Sequence, residues 1–197
     1  EGKGVGRMIF RDLNGDGVVN EADRTIIGDP NPDLSLGLNL DMNYKNWTLS
    51  TFFSGEFGFD VYNTTKRQLL FMSYGGVSTN RSADILNAWS TTNTSSNIPA
   101  LSVVDNNNEM RMSNYYLEDG SYLKMKYIKL SYRLSDPALK ALHASALSIY
   151  GQMENVFTLT NYNGLDPEVP LSGYGSRIDV GPYPRSRTFT LGVNLTF

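Results

Sequence analysis

The sequence predicts an all-β fold: long antiparallel strands that form the C-terminal part of a large transmembrane β-barrel with long external loops. Two observations support this prediction. Five segments of 11 to 15 residues alternate apolar and polar side chains, the pattern of a β-strand with one apolar face. The connections between them alternate between short and long, as the periplasmic turns and external loops of outer-membrane barrels do. Strands of globular proteins are usually only about five or six residues long.

Composition and charge exclude several classes of protein. A net charge of −3 argues against a nucleic-acid-binding protein, because such proteins usually carry a basic patch. The chain has no cysteine and a single histidine, His143, which excludes disulfides and zinc sites. The sequence does not begin with Met or with a signal peptide, so we expect it to be the C-terminal part of a longer chain.

Residues 12–23, DLNGDGVVNEAD, have the spacing of a calcium-binding loop. Such loops need a glycine at position six, where Gly17 lies, and oxygen ligands at positions one, three, five, seven, nine and twelve. The predicted ligands are Asp12, Asn14, Asp16, the Val18 carbonyl, Asn20 and Asp23. The final Asp resembles the calcium loop of dockerins more than an EF-hand. We predict a structural Ca²⁺; the alternative is a turn-rich loop without an ion. We therefore divide the chain into an external loop, 1–33, and barrel strands with their loops, 34–197.

The first hairpin is predicted from Leu34–Tyr44 and residues 47–59, joined by a two-residue turn at Lys45 and Asn46. On the first strand, every second residue from Leu34 to Tyr44 is apolar. Tyr44 and Trp47 flank the turn, where the aromatic girdle of a membrane barrel would place them. Packing of the two rings across the hairpin is an equally good explanation.

Residues 60–119 are predicted to be long and irregular, with a short helix at 81–90 that places Ile85, Leu86 and Trp89 on one side. Loops of this length are usually functional. A strand follows at 121–134. Its apolar phase changes near Tyr127 and Ile128, which predicts a β-bulge there.

The remaining elements are a short helix at 136–143, a strand at Ala146–Thr160, a second long loop at 161–186 and a strand at 187–197. An 11-residue strand spans about 36 Å, or roughly 25 Å when tilted by about 45°, which is the height of the apolar band of a barrel. If the C-terminus is periplasmic, the two long loops and the calcium loop are external, and the two short connections are periplasmic.

Four stretches resemble the C-terminal part of SusC/RagA-type TonB-linked outer-membrane transporters of the Bacteroidetes. They are FRDLNGDGVVNEADRTIIGDPNPD at 10–33, EDGSYLKMKYIKLSY at 118–132, ENVFTLTNYNGLDPEV at 154–169 and YPRSRTFTLGVNLTF at 183–197. The resemblance implies about the last five strands of a plugged, 22-stranded barrel in the bacterial outer membrane. It also implies import of glycans or peptides, energised by the TonB complex, with a SusD-like lipoprotein as partner. The plug and the rest of the barrel are expected as further sequence or as another chain.

Two other interpretations compete with the membrane barrel. A soluble β-sandwich binding module with a dockerin-like calcium loop would carry Lys and Glu on its exposed strand faces, whereas these strands carry Ser, Thr, Asn and Gly. An enzyme is disfavoured, because Asp166 and Glu168 flank a proline and nothing in the sequence places them across a cleft. In the external loops, Tyr162, Tyr174 and Tyr183 could stack on a sugar or contact a partner; the alternative is that they fold the loop on itself.

Overall fold

The long strands follow the predicted order, and additional elements lie between the second and the third of them and between the fourth and the fifth. A computed structural model of the chain describes residues 4–73, 79–105, 107–141, 143–173 and 175–197. In chain order the elements are a 3-10 helix (Glu21–Asp23), β1 (Leu34–Tyr44), β2 (Trp47–Phe57), β3 (Asp60–Asn63), α1 (Thr64–Leu70), two 3-10 helices (Ala83–Asn87 and Asn114–Tyr116), β4 (Leu117–Asp119), β5 (Tyr122–Arg133), α2 (Asp136–Ala141), β6 (Ala146–Thr160), β7 (Ile178–Asp179) and β8 (Thr188–Thr196). Within this described part of the chain, no helix is long and apolar enough to cross a membrane.

The chain forms two compact units. The loop unit consists of Glu1–Asp29, Val61–Glu118 and Pro170–Gly181, and the sheet unit consists of Pro30–Asp60, Asp119–Val169 and Pro182–Phe197. The predicted division after residue 33 lies close to the first junction between the units, but the loop unit also takes in two later segments.

The sheet unit contains an antiparallel sheet of five strands in the order β1-β2-β5-β6-β8. All five long strands predicted from alternation are present, and β1 and β6 have the predicted bounds. Each long strand pairs with the long strand that precedes it in the chain, so the sheet is an up-and-down meander. Neighbouring antiparallel strands need only a turn or a loop between them, and the sequence provides these.

The predicted two-residue turn joins β1 to β2, and Lys45 adopts a positive φ of 54° to close it. The turn is also tied to the end of β5. The side-chain amide of Asn46 donates to the Arg133 carbonyl at 2.7 Å, and the Arg133 N–H donates to the Asn46 carbonyl at 2.9 Å. These two hydrogen bonds keep the turn in register with the third strand of the sheet.

The irregularity predicted in the third long strand is a β-bulge at Lys126, one residue before the predicted position. Phe52 and Phe53 are consecutive in β2, yet they pair with Tyr127 and Met125, which leaves Lys126 between them. The extra residue reverses the alternation of β5 at this point. Apolar residues before and after the bulge therefore lie on the same face of the sheet.

The loop unit has a hydrophobic core of its own. Tyr62, Leu70, Phe71 and Tyr116 are buried together, and the rings of Phe71 and Tyr116 lie 5.9 Å apart in an edge-on arrangement. A small sheet in the order β4-β3-β7 pairs β3 with β7 in parallel. The region that we predicted to be irregular therefore contributes a helix, two short strands and most of this core.

The helix predicted at 81–90 is only a five-residue 3-10 helix, Ala83–Asn87. Ile85 packs against the core, whereas Leu86 is 85% exposed. The prediction that Ile85, Leu86 and Trp89 share one side is therefore wrong. Successive residues of a 3-10 helix point about 120° apart, and Trp89 lies beyond the end of the helix.

Candidate functional site

Pairing within the long sheet aligns residues of the same kind in rows across the strands. One row consists of Met42, Leu49, Leu130, Gly151 and Leu191, and the next row consists of Asn43, Thr48, Ser131, Tyr150 and Gly192. Directly opposed residues of an antiparallel sheet lie on the same face, and successive rows lie on opposite faces. The sheet therefore has one apolar face and one polar face.

The apolar face of the sheet is accessible. Leu191 is 88% exposed and Phe189 is 73% exposed. Large exposed apolar side chains occur on all five strands and include Leu38, Trp47, Leu130, Ile149 and Val193. Monomeric soluble proteins rarely expose contiguous apolar patches of more than a few hundred Å². A face of this kind needs an apolar environment, either lipid or another layer of protein.

Aromatic residues lie at the turn end of the apolar face. The rings of Trp47 and Tyr132 are 4.7 Å apart, and Tyr44 is opposite Trp47 across the hairpin. Tyr44 is nevertheless 69% exposed and Trp47 is 46% exposed. The Trp47 ring thus packs on β5, and Tyr44 and Trp47 both still present surface. Their place in an aromatic girdle stays a prediction.

The polar face carries hydrogen bonds between neighbouring strands. The Ser50 hydroxyl donates to Asp41 at 2.5 Å, and the Thr48 hydroxyl donates to Asn43 at 2.7 Å. The Lys129 ammonium lies 4.2 Å from the centroid of the Tyr150 ring. A face built from hydroxyl, amide and charged groups is suited to contact with water.

At one end of the sheet, two lysines of β5 bind two carboxylates of the loop that follows β6. The Lys124 ammonium lies 2.6 Å from the Asp166 carboxylate and 3.0 Å from the Glu168 carboxylate. Lys126, at the bulge, lies 2.5 Å from the other oxygen of Glu168. Only 5% of the Lys124 side chain is exposed. A charge so deeply buried requires partners, and the two carboxylates provide them.

Glu168 is held in its ionised form by this network of four residues. Burial alone raises the pKa of Glu168, but hydrogen bonds from Lys126 and Lys124 outweigh that effect and bring the pKa below the usual 4.5. A glycosidase acid needs the opposite shift, a raised pKa that keeps the proton on the carboxyl at neutral pH. The arrangement therefore fits an ion-pair anchor for the loop better than a pair of catalytic carboxylates.

The anchored loop is also packed. Tyr162 and Val169 are 6% and 3% exposed. A side chain at Gly164 would collide with the Tyr162 ring, since a Cβ there would lie 2.2 Å from it. Of the three tyrosines predicted to contact sugar or partner, Tyr162 is thus buried, Tyr183 is 94% exposed, and Tyr174 lies outside the described residues. Contact with a ligand by these residues stays a prediction.

The calcium-loop motif, residues 12–23, folds as a series of turns closed by its own side chains. Asp12 accepts from the N–H groups of Gly15 and Gly17 at 2.6 and 2.8 Å. Asp23 accepts from Leu13 and Asn20, both at 2.8 Å. The backbone bonds from Asn20 and Leu13 are the largest causes that lower the pKa of Asp23. These carboxylates shape the loop from both of its ends.

The other predicted side-chain ligands of the loop bond to residues only two positions away in the sequence. Asn14 and Asp16 accept from the N–H groups two residues ahead, at 2.9 and 2.8 Å, and Asn20 accepts from Ala22 at 2.7 Å. Among the described residues, no three acidic or histidine side chains converge as a metal site. Each carboxylate oxygen that accepts one N–H keeps a second lone pair, so the donor set remains chemically suited to a hard cation. The calcium site stays a prediction.

The lysine–carboxylate network was missed from the sequence. Its signals are present: β5 carries two lysines in the stretch LKMK, and the loop carries two acids around a proline in LDPEV. The partners are 42 and 44 residues apart, however, and no local periodicity links them. Only the pairing of β5 with β6 brings them together.

Comparison with known proteins gives a consistent set of relatives. No protein-family model matches the chain. TonB-dependent receptor P3 of Formosa agariphila is 36% identical over 199 residues, which cover 98% of this chain and 19% of the receptor. TonB-dependent receptor SusC of Bacteroides thetaiotaomicron is 32% identical over 197 residues, covering 100% of this chain and 18% of the receptor. This chain spans about one fifth of the length of these curated relatives.

A solved structure resembles the fold. The RagAB peptide importer in its closed-closed state superposes with a TM-score of 0.70 at 25% identity, over 84% of this chain and 17% of the RagAB chain. The antiparallel sheet of this chain matches the C-terminal part of a TonB-dependent barrel. These relatives are receptors and transporters rather than enzymes.

Proposed function

This chain belongs to the TonB-dependent receptors of the SusC and RagA type, and on that premise we propose that its long sheet forms the C-terminal wall of a transporter that imports nutrients across the outer membrane. The observation that carries the proposal is the two-faced sheet. Five strands present one continuous apolar face that stays accessible, and the opposite face is polar. A barrel wall needs this division, because lipid contacts one side and the aqueous lumen contacts the other.

Cysteine labelling tests this proposal, because the chain has no cysteine of its own. In the complete transporter, Leu191→Cys places a thiol on the apolar face, and the neighbouring Thr190→Cys is its matched control on the polar face. A membrane-impermeant, water-soluble maleimide is expected to label Thr190→Cys in intact outer membranes and to leave Leu191→Cys unmodified. A lipid-soluble maleimide should modify Leu191→Cys.

The soluble β-sandwich predicts a different labelling pattern. There, the apolar face would be buried against protein and closed to both reagents, and the protein would be recovered without detergent. Labelling of the apolar thiol by the water-soluble reagent would also contradict the proposal.

We propose an orientation from strand parity and from the lengths of the connections. We place the C-terminus and the short β1–β2 and β5–β6 connections on the periplasmic side, so that the β2–β5 and β6–β8 connections are external. An epitope tag inserted in either long connection is expected to bind its antibody on intact cells. A tag at residues 45 and 46 should be detected only after the outer membrane is opened.

We propose that the cargo is a glycan or a peptide, and that a SusD-like surface lipoprotein and the TonB complex take part in its import. The support comes from the relatives: one is named SusC, and RagAB is described as a peptide importer. Purification of the complete transporter from native membranes should recover a surface lipoprotein in equimolar amount. Uptake that persists without TonB would contradict the energising step.

We also propose that residues 12–23 bind a structural Ca²⁺ through Asp12, Asn14, Asp16, Val18, Asn20 and Asp23. The spacing of their oxygens supports this, and binding would draw Asp12, Asp16 and Asp23 around the ion. The test is equilibrium dialysis of the complete transporter with radioactive calcium. Asp16→Ala should abolish one bound ion per chain, whereas Glu21→Ala, an exposed acid in the same loop outside the ligand positions, should retain it. Unchanged binding in Asp16→Ala would refute the site.

A further inference from the structure

A pocket of about 360 Å³ lies in the sheet unit beside the lysine–carboxylate network. Four parts of the chain line it: Lys124 of β5, the C-terminal half of β6, the loop at 164–167, and residues 184–187 that lead into β8. Its volume lies within the range of small-molecule sites, about 300 to 1,000 Å³. A single sugar or amino-acid residue is the size of ligand that it suits.

The loop side of the pocket is held in place by the ion pairs already described. Lys124 lines the pocket, but its charge is compensated by Asp166 and Glu168. Asp166 is the acidic residue of the lining, and Lys124 in turn compensates it. The network therefore fixes the wall of the pocket and leaves little net charge there.

The opposite rim carries Arg187, which the backbone of β6 holds in position. Pairing of β6 with β8 ends at Glu154 and Thr188, and Asn155 has a positive φ of 51°. Beyond this point the carbonyls of Asn155 and Val156 accept instead from the Arg187 guanidinium, at 3.3 and 3.0 Å. A guanidinium has five N–H donors, so these two bonds orient Arg187 and leave donors for a ligand.

Arg185 is the second cation of the rim, and its side chain is exposed. Among the described residues, neither Arg185 nor Arg187 forms an ion pair with a carboxylate. The lining thus has two guanidinium groups without a carboxylate partner among the described residues, the Thr158 hydroxyl, and apolar surface from Leu165. The Thr160 hydroxyl is used within the loop, since it donates to the Ser121 carbonyl and accepts from the Tyr162 N–H. Guanidinium groups pair with carboxylates through parallel hydrogen bonds.

We propose that this pocket is a cargo subsite that binds a carboxylate group carried on a small polar residue, with Arg185 and Arg187 as the binding cations. The proposal rests on the proposed function, because the ligand is taken to be part of the imported cargo. The carboxylate could belong to an acidic sugar or to the C-terminal residue of a peptide, and both present the same anionic group to the arginines.

The test measures equilibrium binding of four probes to the complete transporter in detergent by saturation-transfer NMR. N-acetylglycine and glucuronate carry the carboxylate, and N-acetylglycinamide and glucose are their neutral counterparts. At least one acidic probe is expected to bind about tenfold more tightly than its neutral counterpart, the size expected from one charge-assisted hydrogen bond. Preference for one acid assigns the source of the carboxylate, and binding of both acids supports an anion subsite open to either source.

Arg185→Gln is expected to lower the affinity for the acidic probe about tenfold and to leave neutral probes unaffected. Arg133→Gln is the matched control, since it removes the same charge from the far end of β5. Arg187→Lys keeps the charge but loses the planar guanidinium that donates parallel hydrogen bonds, and it should weaken binding less than Arg185→Gln does. Equal binding of acidic and neutral probes, or an unchanged affinity in Arg185→Gln, would overturn the subsite.

Failure of the subsite can be told from failure of the transport function. TonB-dependent uptake of the natural cargo by the unmutated protein is measured in the same preparation of cells. If that uptake is normal but no acid preference is found, only the subsite is wrong. If no TonB-dependent uptake is found, the transport proposal fails whatever the binding assay gives.

Discussion

The loop unit and the sheet unit use large apolar side chains in opposite ways. In the loop unit, Val61 and Tyr116 are completely buried, and the rings of Tyr62 and Phe71 pack edge to face against Tyr116. In the sheet unit, Leu191 and Phe189 lie on a regular strand and are 88% and 73% exposed. The loop unit supplies its own apolar environment. The sheet unit buries Tyr162 and Val169 in its loop, but the exposed side chains of its apolar face have no such environment among the described residues.

The difference shows that alternation of residues in a strand does not reveal what covers the apolar face. Burial of apolar surface contributes roughly 25 cal/mol per Å² wherever that surface leaves water. In the loop unit this contribution arises within the chain. In a barrel wall it arises when the sheet enters the bilayer, and substitutions in the two units should therefore respond to different surroundings.

The largest effect is expected from Tyr116→Ala. This change opens a cavity in the core of the loop unit and should lower its free energy of unfolding by about 3–5 kcal/mol. Hydrogen exchange should then accelerate in α1 and β3 of the complete transporter. Tyr116→Phe is the control, because it keeps the ring and loses only the 2.7 Å hydrogen bond to the Glu109 carbonyl, about 1 kcal/mol. Equal exchange in both variants would mean that the loop unit has no cooperative core.

The next effect separates the two faces of the sheet. Leu191→Lys places a charge on the apolar face and should lower the free energy of unfolding in lipid bilayers by about 2–4 kcal/mol if that residue lies near the midplane. Thr190→Lys puts the same charge on the polar face and should cost less than about 1 kcal/mol. Denaturant titration of the complete transporter in vesicles measures both values. A larger cost for Thr190→Lys would reverse the assignment of the faces.

A smaller effect is expected within the sheet unit from Lys124→Met. Loss of the buried ammonium leaves Asp166 without an ion pair and Glu168 with Lys126 alone, and should cost about 1–3 kcal/mol of loop stability. Hydrogen exchange at 161–169 should accelerate, while exchange in β1 and β2 stays unchanged. Lys129→Met, on the same strand and face, loses only a contact with the Tyr150 ring and is the matched control.

The sheet could be predicted from sequence, but the loop unit and the network could not. Strand alternation is a local signal, and it gave β1 and β6 their bounds and placed the bulge within a residue of Lys126. The pairing of β3 with β7 joins Tyr62 to Ile178, more than one hundred residues later. Each of those strands is only two to four residues long, too short for an alternating pattern to be detected in the sequence.

The candidate sites also divide into one that a local sequence signal predicts and others that depend on contacts between distant parts of the chain. The calcium motif is contiguous, so its six positions could be named from spacing alone. The subsite arginines and the lysine–carboxylate network are assembled from β5, β6 and two loops, and their partners depend on register. The sequence predicts Tyr162 as a possible contact residue, because a loop tyrosine carries no sign of burial in its sequence. Its close approach to Gly164 is set by the fold of the loop.

The smallest effect is a pH dependence confined to the anchored loop of the sheet unit. The pKa of Glu168 is lower in the folded loop than its usual 4.5, because the hydrogen bonds from Lys126 and Lys124 outweigh the cost of burial. A carboxyl with a depressed folded pKa contributes stability that is complete above its unfolded pKa and is lost as the pH falls through its folded pKa. Exchange at 161–169, corrected for its intrinsic pH dependence, should therefore stay level above pH 4.5 and increase below it. Subtraction of the same profile for Glu168→Gln isolates this residue from other acids. The difference in exchange rate between the unmutated protein and Glu168→Gln should vanish at low pH. A difference that grows on acidification would mean that Glu168 is not held by the lysines.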